Sequence, residues 1–574
     1  MKWFLLPVFS LSAIFTLAQP PALEWTKNYS FPSRSDTRLY VDTDAGGNVY
    51  FGAALANVQT SNSIRIAKYT SSGTLIWNKF YTPDFPYYTT WLNGMDVDAD
   101  GNVCILARVD KTDGYSALIL VKYNNAGTKL WTVKEEIPEI NVHGRALIVD
   151  NTGNIYVGGI LHYNAYTSNP TSDFIVFKYN KNGNKSWGAF YNGSAGGQDE
   201  LSDIAVDGSG NVYVTGETEQ RDTQVPLIKH RKTTIIKYTG QGYFVWQKHH
   251  WYSGALTSQR QILKMDLSGN LYLSATYSFN NYSEFTISLL KYNSSGTMLW
   301  SRSIPGIKPY GHSMAVDASG NSYLATVITA GIRNVNFSIY KYNSDGQQLW
   351  NSRYDGGDST EDIPSDIAFD KTGSVYVTGG SYLTKSVPLM YERKPRTITI
   401  KYNSAGNELW VAKYNGSGAD TLSAGVSLAL HGPGFEPLIY VAANTVKVQS
   451  SFDPMNDDML LLKYNQSTRG LRSTLEPIGA VEPVSRYNLS AAPNPFRRST
   501  VIRFQLPYDA QVSLKIYDVT GREVRNLIYG SRKAGAHQAV FNAGKLIPQQ
   551  YFYTLKLTSA MGEFRETKPV ILTY

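Results

Sequence analysis

Residues 207–216 read Asp-Gly-Ser-Gly-Asn-Val-Tyr-Val-Thr-Gly, and residues 237–246 read Lys-Tyr-Thr-Gly-Gln-Gly-Tyr-Phe-Val-Trp. Each stretch is a glycine-containing turn between two runs rich in aromatic and β-branched residues. Asp and Asn close such a turn through their side chains, and Gly takes the positive φ. Together they predict four short antiparallel strands. Strand A ends at the Asp, B carries Val-Tyr-Val, C ends at Lys-Tyr, and D begins at Trp.

Both stretches recur. Lys-Tyr, a Gly and then Trp, with nine residues from Lys to Trp, begins at Lys68, Lys122, Lys178, Lys237, Lys291, Lys341 and Lys401. Lys463-Tyr464-Asn465 is an eighth copy with no Trp after it. The Asp turn recurs between them, at Asp98, Asp150, Asp266, Asp317 and Asp370, with Gly47-Asn48 as a variant and a degenerate copy near His431–Tyr440. A fixed period of this kind marks a repeat architecture. Four antiparallel strands in each 50–62 residues make a propeller blade. Stacked two-strand repeats are the alternative.

The missing eighth Trp has a counterpart. Trp25, with Tyr29 four residues later, stands before the first repeat without a partner. Its strand can complete the last blade, closing the ring without an open edge. The expectation is all-β, with eight blades rather than seven over 19–465. Asp-x-x-Gly-Asn-x-Tyr-Val-x-Gly followed by Lys-Tyr-Asn-x-x-Gly-x-x-x-Trp resembles the SBBP-type β-propeller repeats of secreted bacterial proteins. That resemblance covers about residues 23–465 and implies architecture, not chemistry.

The start of the chain reads as a signal peptide over 1–18. Lys2 precedes an apolar run, Trp3–Phe15, and Thr16-Leu17-Ala18 suits cleavage before Gln19. The run falls short of the roughly 20 apolar residues that span a bilayer, and no transmembrane segment is expected elsewhere. The single Cys104 stands where other repeats place Tyr, and reads as a buried structural thiol. The net charge is +8, but residues 488–574 hold 12 Lys/Arg against 5 Asp/Glu. The propeller is therefore near neutral and lacks the basic footprint of a nucleic-acid binder.

Residues 466–487 read as a linker. Over 488–574, alternating runs predict a small all-β sandwich, Ig-like in kind. It contains Pro493-Asn494-Pro495-Phe496, the run Tyr517-Asp518-Val519-Thr520-Gly521-Arg522-Glu523, and Lys568 in the last strand. These spaced motifs resemble the type A C-terminal sorting domain of the type IX secretion system of Bacteroidetes. The resemblance implies the secretion machinery as a partner, passage across the outer membrane, and a secreted or cell-surface location.

No catalytic constellation, zinc spacing or cofactor motif is present. The expected protein is a non-catalytic binding or structural module, monomeric, with a glycan or surface protein as ligand. An extracellular hydrolase or lyase acting on glycans is the alternative. The Asp turns read as capped turns rather than calcium loops. B–C and D–A connections vary in length and share one face, where binding residues would gather. The candidates there are Asp199, Glu200, Asp358, Glu361 and Asp362 in D–A loops. The long B–C loops, 216–233 and 380–397, add Lys229, Arg231, Arg393 and Arg396.

Overall fold

The computed structural model describes residues 20–29, 38–55, 63–163, 170–221, 229–251, 255, 257–279, 284–305, 311–331, 334–356, 360–387, 390–415, 421–432, 437–447, 456–466, 489–506, 509–519, 522–533, 535–544, 546–559 and 562–573. The signal peptide expected over 1–18 lies outside them. The chain divides into two compact units, Met1–Arg469 and Gly470–Tyr574. Among the described residues no helix is long and apolar enough to cross a membrane.

The larger unit is built from antiparallel sheets whose four strands follow chain order. The first sheet comprises Leu39–Thr43, Val49–Leu55, Ser63–Tyr69 and Leu75–Tyr81. The second, over 87–135, the third, over 141–191, the fourth, over 200–250, and the fifth, over 257–305, repeat that order. The sixth, over 313–354, and the seventh, over 360–414, do so too, and one parallel bridge, Val335 with Glu361, joins them. The closing sheet differs. Thr421–His431, Leu438–Lys447 and Asn456–Asn465 take their fourth strand from the N-terminal end, Ala22–Tyr29. Trp25 pairs with Lys463, as the unpartnered repeat predicted. Each A strand packs on the A strand of the next sheet, and that of the closing sheet packs on that of the first.

Burial explains the sequence runs. B and C strands are covered on both faces by neighbouring sheets, so Val49–Leu55 is buried throughout. D strands form the outer rim and alternate, as in Lys185–Tyr191. The core therefore lies between sheets. One cluster joins Tyr50, Ile64 and Trp77 of the first sheet to Leu92, Val103 and Ile105 of the second.

The two motifs weld those interfaces. The nine-residue spacing is a matter of register, because Lys68 lies opposite Trp77 and a one-residue bulge follows. D strands consequently begin two residues before the Trp rather than at it. Each indole then reaches the next sheet. Trp77 Nε1 donates to Asn125 O at 2.8 Å, Trp187 Nε1 to Gly240 O at 3.0 Å, and Trp350 Nε1 to Ser404 O at 3.0 Å. In the A–B turns, the Asp207 carboxylate accepts from Asn211 N, Asn211 Nδ2 and the Tyr213 hydroxyl. The motif lysine completes the group, as in the buried Lys122–Asp98 pair at 3.0 Å. Cys104 replaces the Tyr in that sheet and is fully buried, which pushes its thiol well above the usual range.

Trp410 has no following C–D turn to meet, and Gln466 serves that junction instead. Its Oε1 accepts from Lys401 Nζ at 2.8 Å, and its Nε2 donates to Pro437 O at 2.8 Å. The first residue of the expected linker is therefore buried at an intersheet junction.

Buried carboxylates add links nearer the axis. Asp42 accepts from Val97 N at 3.1 Å and Asp96 from Val149 N at 2.7 Å. Burial raises Asp42 to about 6 and Asp96 to about 7; the Asp44 charge adds to the first rise, and the Asp42 and Asp98 charges add to the second. An unfolded Asp titrates near about 4. Between those values the folded chain holds a proton that the unfolded chain has released, so this contribution to stability falls as pH rises. Asp96→Asn carries no such loss. Its stability relative to the wild type should rise between pH 5 and 8 by on the order of 1 kcal/mol. Urea titrations across that range check this, and a difference independent of pH would refute it.

The C-terminal unit has two antiparallel sheets, one of three strands and one of four, around a single apolar core. Phe496 is buried in that core, and its N–H donates to Ile571 O at 2.9 Å. Asn494 Oδ1 accepts from Ile571 N at 2.8 Å, so Pro493–Phe496 is clasped to the last strand. Asp518 closes its turn by accepting from Arg522 N and Nε, both at 3.1 Å. Tyr517 lies opposite Glu523, which pairs with Lys515 at 2.8 Å. Lys568 Nζ donates to Leu489 O at 2.6 Å. Gly521 lies outside the described residues.

Candidate functional site

Over their described residues, the two long B–C connections are paired strands rather than loops. Glu217 to Arg221 pair with Thr233 to Lys229, and in the seventh sheet pairing continues to Val387 opposite Met390. The strands run on beyond the core as hairpin arms. There the buried positions, such as Thr218, Gln220 and Thr233, are polar, so the sequence pattern gave no strand signal. Lys229, Arg231, Arg393 and Arg396 thus stand on strands, as do Glu200, Glu361 and Asp362. Asp358 lies outside the described residues.

Asp199 and Asp362 are fully buried. Asp199 accepts from Gly193 N, and from Glu219 N at 2.9 Å; Asp362 accepts from Gly356 N at 2.6 Å. Each holds the backbone of its own loop, Asp199 also binds the adjacent B strand at Glu219, and they belong to sheets with two others between. Glu200 and Arg231 are brought into one charged cluster of the fourth sheet. Arg231 bonds Glu217 and Gln198, each at 2.8 Å, and its field lowers the Glu200 carboxyl that burial raises. Arg396 is on the seventh sheet, away from them.

A different set of residues converges on the axis. Most A strands carry a one-residue bulge, at Asn93, Arg145, Ser202, Arg260, Ser365 and Val426. A bulge re-aims its side chain. All of these except Asn93 line a central cavity of about 940 Å³. Arg38, Lys264 and Glu200 line it as well. Arg260 takes a positive φ of 43° at its bulge.

The arginines crowd one another. Burial pulls the Arg145 guanidinium below its usual range; Glu200, at 3.2 Å, opposes this, and Arg38 and Arg108 reinforce it. Arg260 opens onto the cavity, yet its enclosure by the surrounding sheets and the Arg38 charge lower it likewise, with Asp366 opposing. Beside them, His143 and His162 have ring centroids 4.7 Å apart. Burial, then the Arg108 charge, holds His143 down at about 2. Burial, then the Arg145 charge, holds His162 at about 4. Both imidazoles are neutral at ordinary pH. His312 is buried beneath the cavity wall, bonded to Ser274 and to Thr276 at 3.4 Å. Among the described residues, no cluster of three or more His, Cys, Asp or Glu side chains could hold a metal.

The cavity wall sets Arg38, Arg145, Arg260 and Lys264 against the carboxylates of Glu200, Asp203 and Asp366, and an excess of fixed positive charge attracts anions, so the mouth of the cavity is suited to an anionic ligand. No motif announces Arg38, Arg108, Arg145 and Arg260. One signal was present in the repeat frame. Arg145 stands five residues before its turn Asp, and Arg38 and Arg260 stand six before theirs.

Comparison with known proteins adds the following. None of the curated proteins matches this chain. Among solved structures, the polysaccharide lyase Uly1 is similar, at 9% identity over 77% of this chain and 99% of that one, with a TM-score of 0.40. The BP39L lectin from Burkholderia pseudomallei is similar at 8% identity over 66% of this chain and 99% of that one, with a TM-score of 0.39. A PL25 ulvan lyase bound to -[GlcA(1-4)Rha3S]- is similar at 11% identity over 70% and 93%, with a TM-score of 0.35. Residues 191–219, which carry the fourth sheet's A–B unit, match the SBBP family, a beta-propeller repeat.

Proposed function

We propose that residues 19–465 form an eight-bladed β-propeller that binds an anionic ligand at the mouth of its central cavity. The seven sheets in chain order and the closing sheet supply the blade count. The convergence of Arg38, Arg108, Arg145 and Arg260 carries the functional reading. Like charges held together in a folded protein are a standing electrostatic cost that an anion relieves. The protein is read as a monomeric binding module without catalytic residues of its own.

Export rests on sequence resemblance. A signal peptide over 1–18 and an Ig-like sorting domain over 488–574 would take the propeller to the cell surface through the type IX machinery of a Bacteroidetes-like organism. Pro493–Phe496, Asp518, Arg522 and Lys568 hold that domain together, in keeping with a tag recognised as a folded unit.

One observation favours the alternative, a glycan hydrolase or lyase. Two neutral imidazoles beside arginines could accept a proton while the arginines hold an acid group. Turnover by the purified chain, abolished by His143→Ala, would establish it.

The test of the binding reading is calorimetric titration of the mature chain with acidic and neutral oligomers. Acidic ligands should bind, with affinity falling as salt is raised. The double variant Arg145→Ala/Arg260→Ala should weaken binding at least tenfold, about 1.4 kcal/mol. Equal affinity for neutral ligands, or an unaffected double variant, would overturn the reading.

A further inference from the structure

Beside the central cavity lies a smaller pocket of about 220 Å³, where the first three sheets meet. Trp91, Arg108, His143 and Arg145 line it, and Arg38 closes one side. It is smaller than the roughly 300–1,000 Å³ of sites that enclose a drug-sized ligand, so it holds one ring with its substituents.

Its walls are fixed in advance by a single carboxylate. Asp110 accepts from Arg108 Nε at 2.6 Å and Nη2 at 3.0 Å, and from Trp91 Nε1 at 2.9 Å. Ser116 Oγ donates to the same carboxylate at 2.8 Å. Asp110 therefore sets a cation and an aromatic ring together in one orientation. Arg145 is held from the other side by Glu200. Such pre-organisation reduces the ordering that a ligand must otherwise impose.

Two polar atoms in this wall make no hydrogen bond within the protein. They are Arg145 Nε and His143 Nε2, both buried. A buried polar atom without a partner costs about 1–3 kcal/mol, which a ligand recovers when a small side-chain shift brings that atom to the pocket surface. The two atoms ask for different chemistry. Arg145 Nε is a donor only and suits an acid oxygen. The neutral His143 nitrogen suits a hydroxyl, which can donate or accept to match its tautomer. Trp91 supplies an apolar ring surface, on which the C–H face of a pyranose can lie.

We infer that this pocket binds one acidic sugar residue of a polysaccharide, a uronate or a sulfate ester. Its oxyanion meets Arg108, Arg145 and Arg38, its hydroxyl meets His143, and its ring lies on Trp91. The inference rests on the anion-binding reading above and names its ligand class. The rest of the polymer would run into the central cavity, whose mouth Arg145 shares.

The experiment is titration calorimetry on the full mature chain with four probes. These are a uronate trisaccharide, a sulfated trisaccharide, a neutral trisaccharide and inorganic sulfate. At least one acidic trisaccharide should bind tenfold or more tighter than the neutral one, and which of them does so identifies the acid group. Arg108→Ala should weaken both the acidic saccharide and sulfate tenfold. Trp91→Ala should weaken the saccharide fivefold or more and leave sulfate unchanged. Trp91→Phe keeps a ring and should retain most of the affinity, which separates stacking from a folding defect. Sulfate binding lost in Arg108→Ala, with no saccharide bound, would overturn this inference while the anion site stands. No anion bound by the wild type would overturn both. An acidic saccharide bound equally well by Trp91→Ala would overturn the stacking geometry and with it the assignment.

Discussion

A chain lacking residues 22–29 should lose cooperative unfolding of its larger unit, because that strand holds three things at once. It completes the closing sheet by pairing along Asn456–Asn465. Trp25 Nε1 donates to Ser71 O at 3.1 Å in the first sheet's C–D turn, and the ring covers Gly73. Tyr29 stacks on Phe51 at 5.3 Å, under the Arg65 guanidinium at 3.8 Å. Lys463 contributes from the other side, to Ser71 O at 2.5 Å and Glu24 at 2.8 Å. Without the strand, the hydrogen-bonding edge of Asn456–Asn465 is open, and such an edge invites aggregation. The single substitution Trp25→Ala should cost about 3 kcal/mol, as for other large aromatics. Leu23→Ala, at an exposed position (41%), should stay within about 0.5 kcal/mol. Denaturant titration with size-exclusion chromatography checks both. An unchanged midpoint in the deleted chain would show that the ring closes by other means.

The second large effect concerns the glycine that ends the Tyr-Val-x-Gly run. Gly216 and Gly379 sit on B strands opposite the A-strand bulges. A methyl group on Gly216 would lie 2.2 Å from Glu200 O and 2.7 Å from Leu201 Cα. On Gly379 it would lie 2.1 Å from Ile363 O. These obstacles are backbone, which cannot rotate away, and only a shift of the bulged strand relieves them. Gly216→Ala and Gly379→Ala should each cost about 3 kcal/mol, at the upper end of overpacking effects. Gly159→Ala is the informative relative, since its methyl would lie 2.4 Å from His143 O. It should displace His143 and weaken ligand binding as well as stability. Gly208→Ala meets nothing within 4 Å and has no left-handed φ, so it should be neutral or slightly stabilising. Thermal and denaturant unfolding of the four variants distinguishes these outcomes. Equal effects at Gly208 and Gly216 would remove the steric argument.

Much of the architecture was legible because it is periodic. Turn residues, Lys–Trp spacing and apolar B strands recur at fixed offsets, and each has a local physical cause. The pairing of Trp25 with Lys463 could be read from a simple mismatch, one Trp too few at the end and one too many at the beginning. Gln466 could not be read, since a single polar residue replacing a turn leaves no pattern. The hairpin arms around Arg231 and Arg396 were taken for loops because periodicity reports an apolar buried face, and the positions buried there, such as Thr218, Gln220 and Ser381, are polar.

The site was less legible. Asp199 and Asp362 look like ligand-face acids in the sequence, yet they accept from backbone N–H groups, those of Gly193 and Glu219 and that of Gly356. Arg38, Arg108, Arg145 and Arg260 look like ordinary surface charges scattered over more than 200 residues. The sequence by itself determined the strands, the turns and the pairing that closes the ring, because these depend on neighbours along the chain or on register. Only the tertiary structure decided which charges meet. The ring brings distant A strands to one axis, and bulges turn Arg145 and Arg260 inward near Arg38 and the B-strand Arg108, so a cluster forms from residues that no local rule connects.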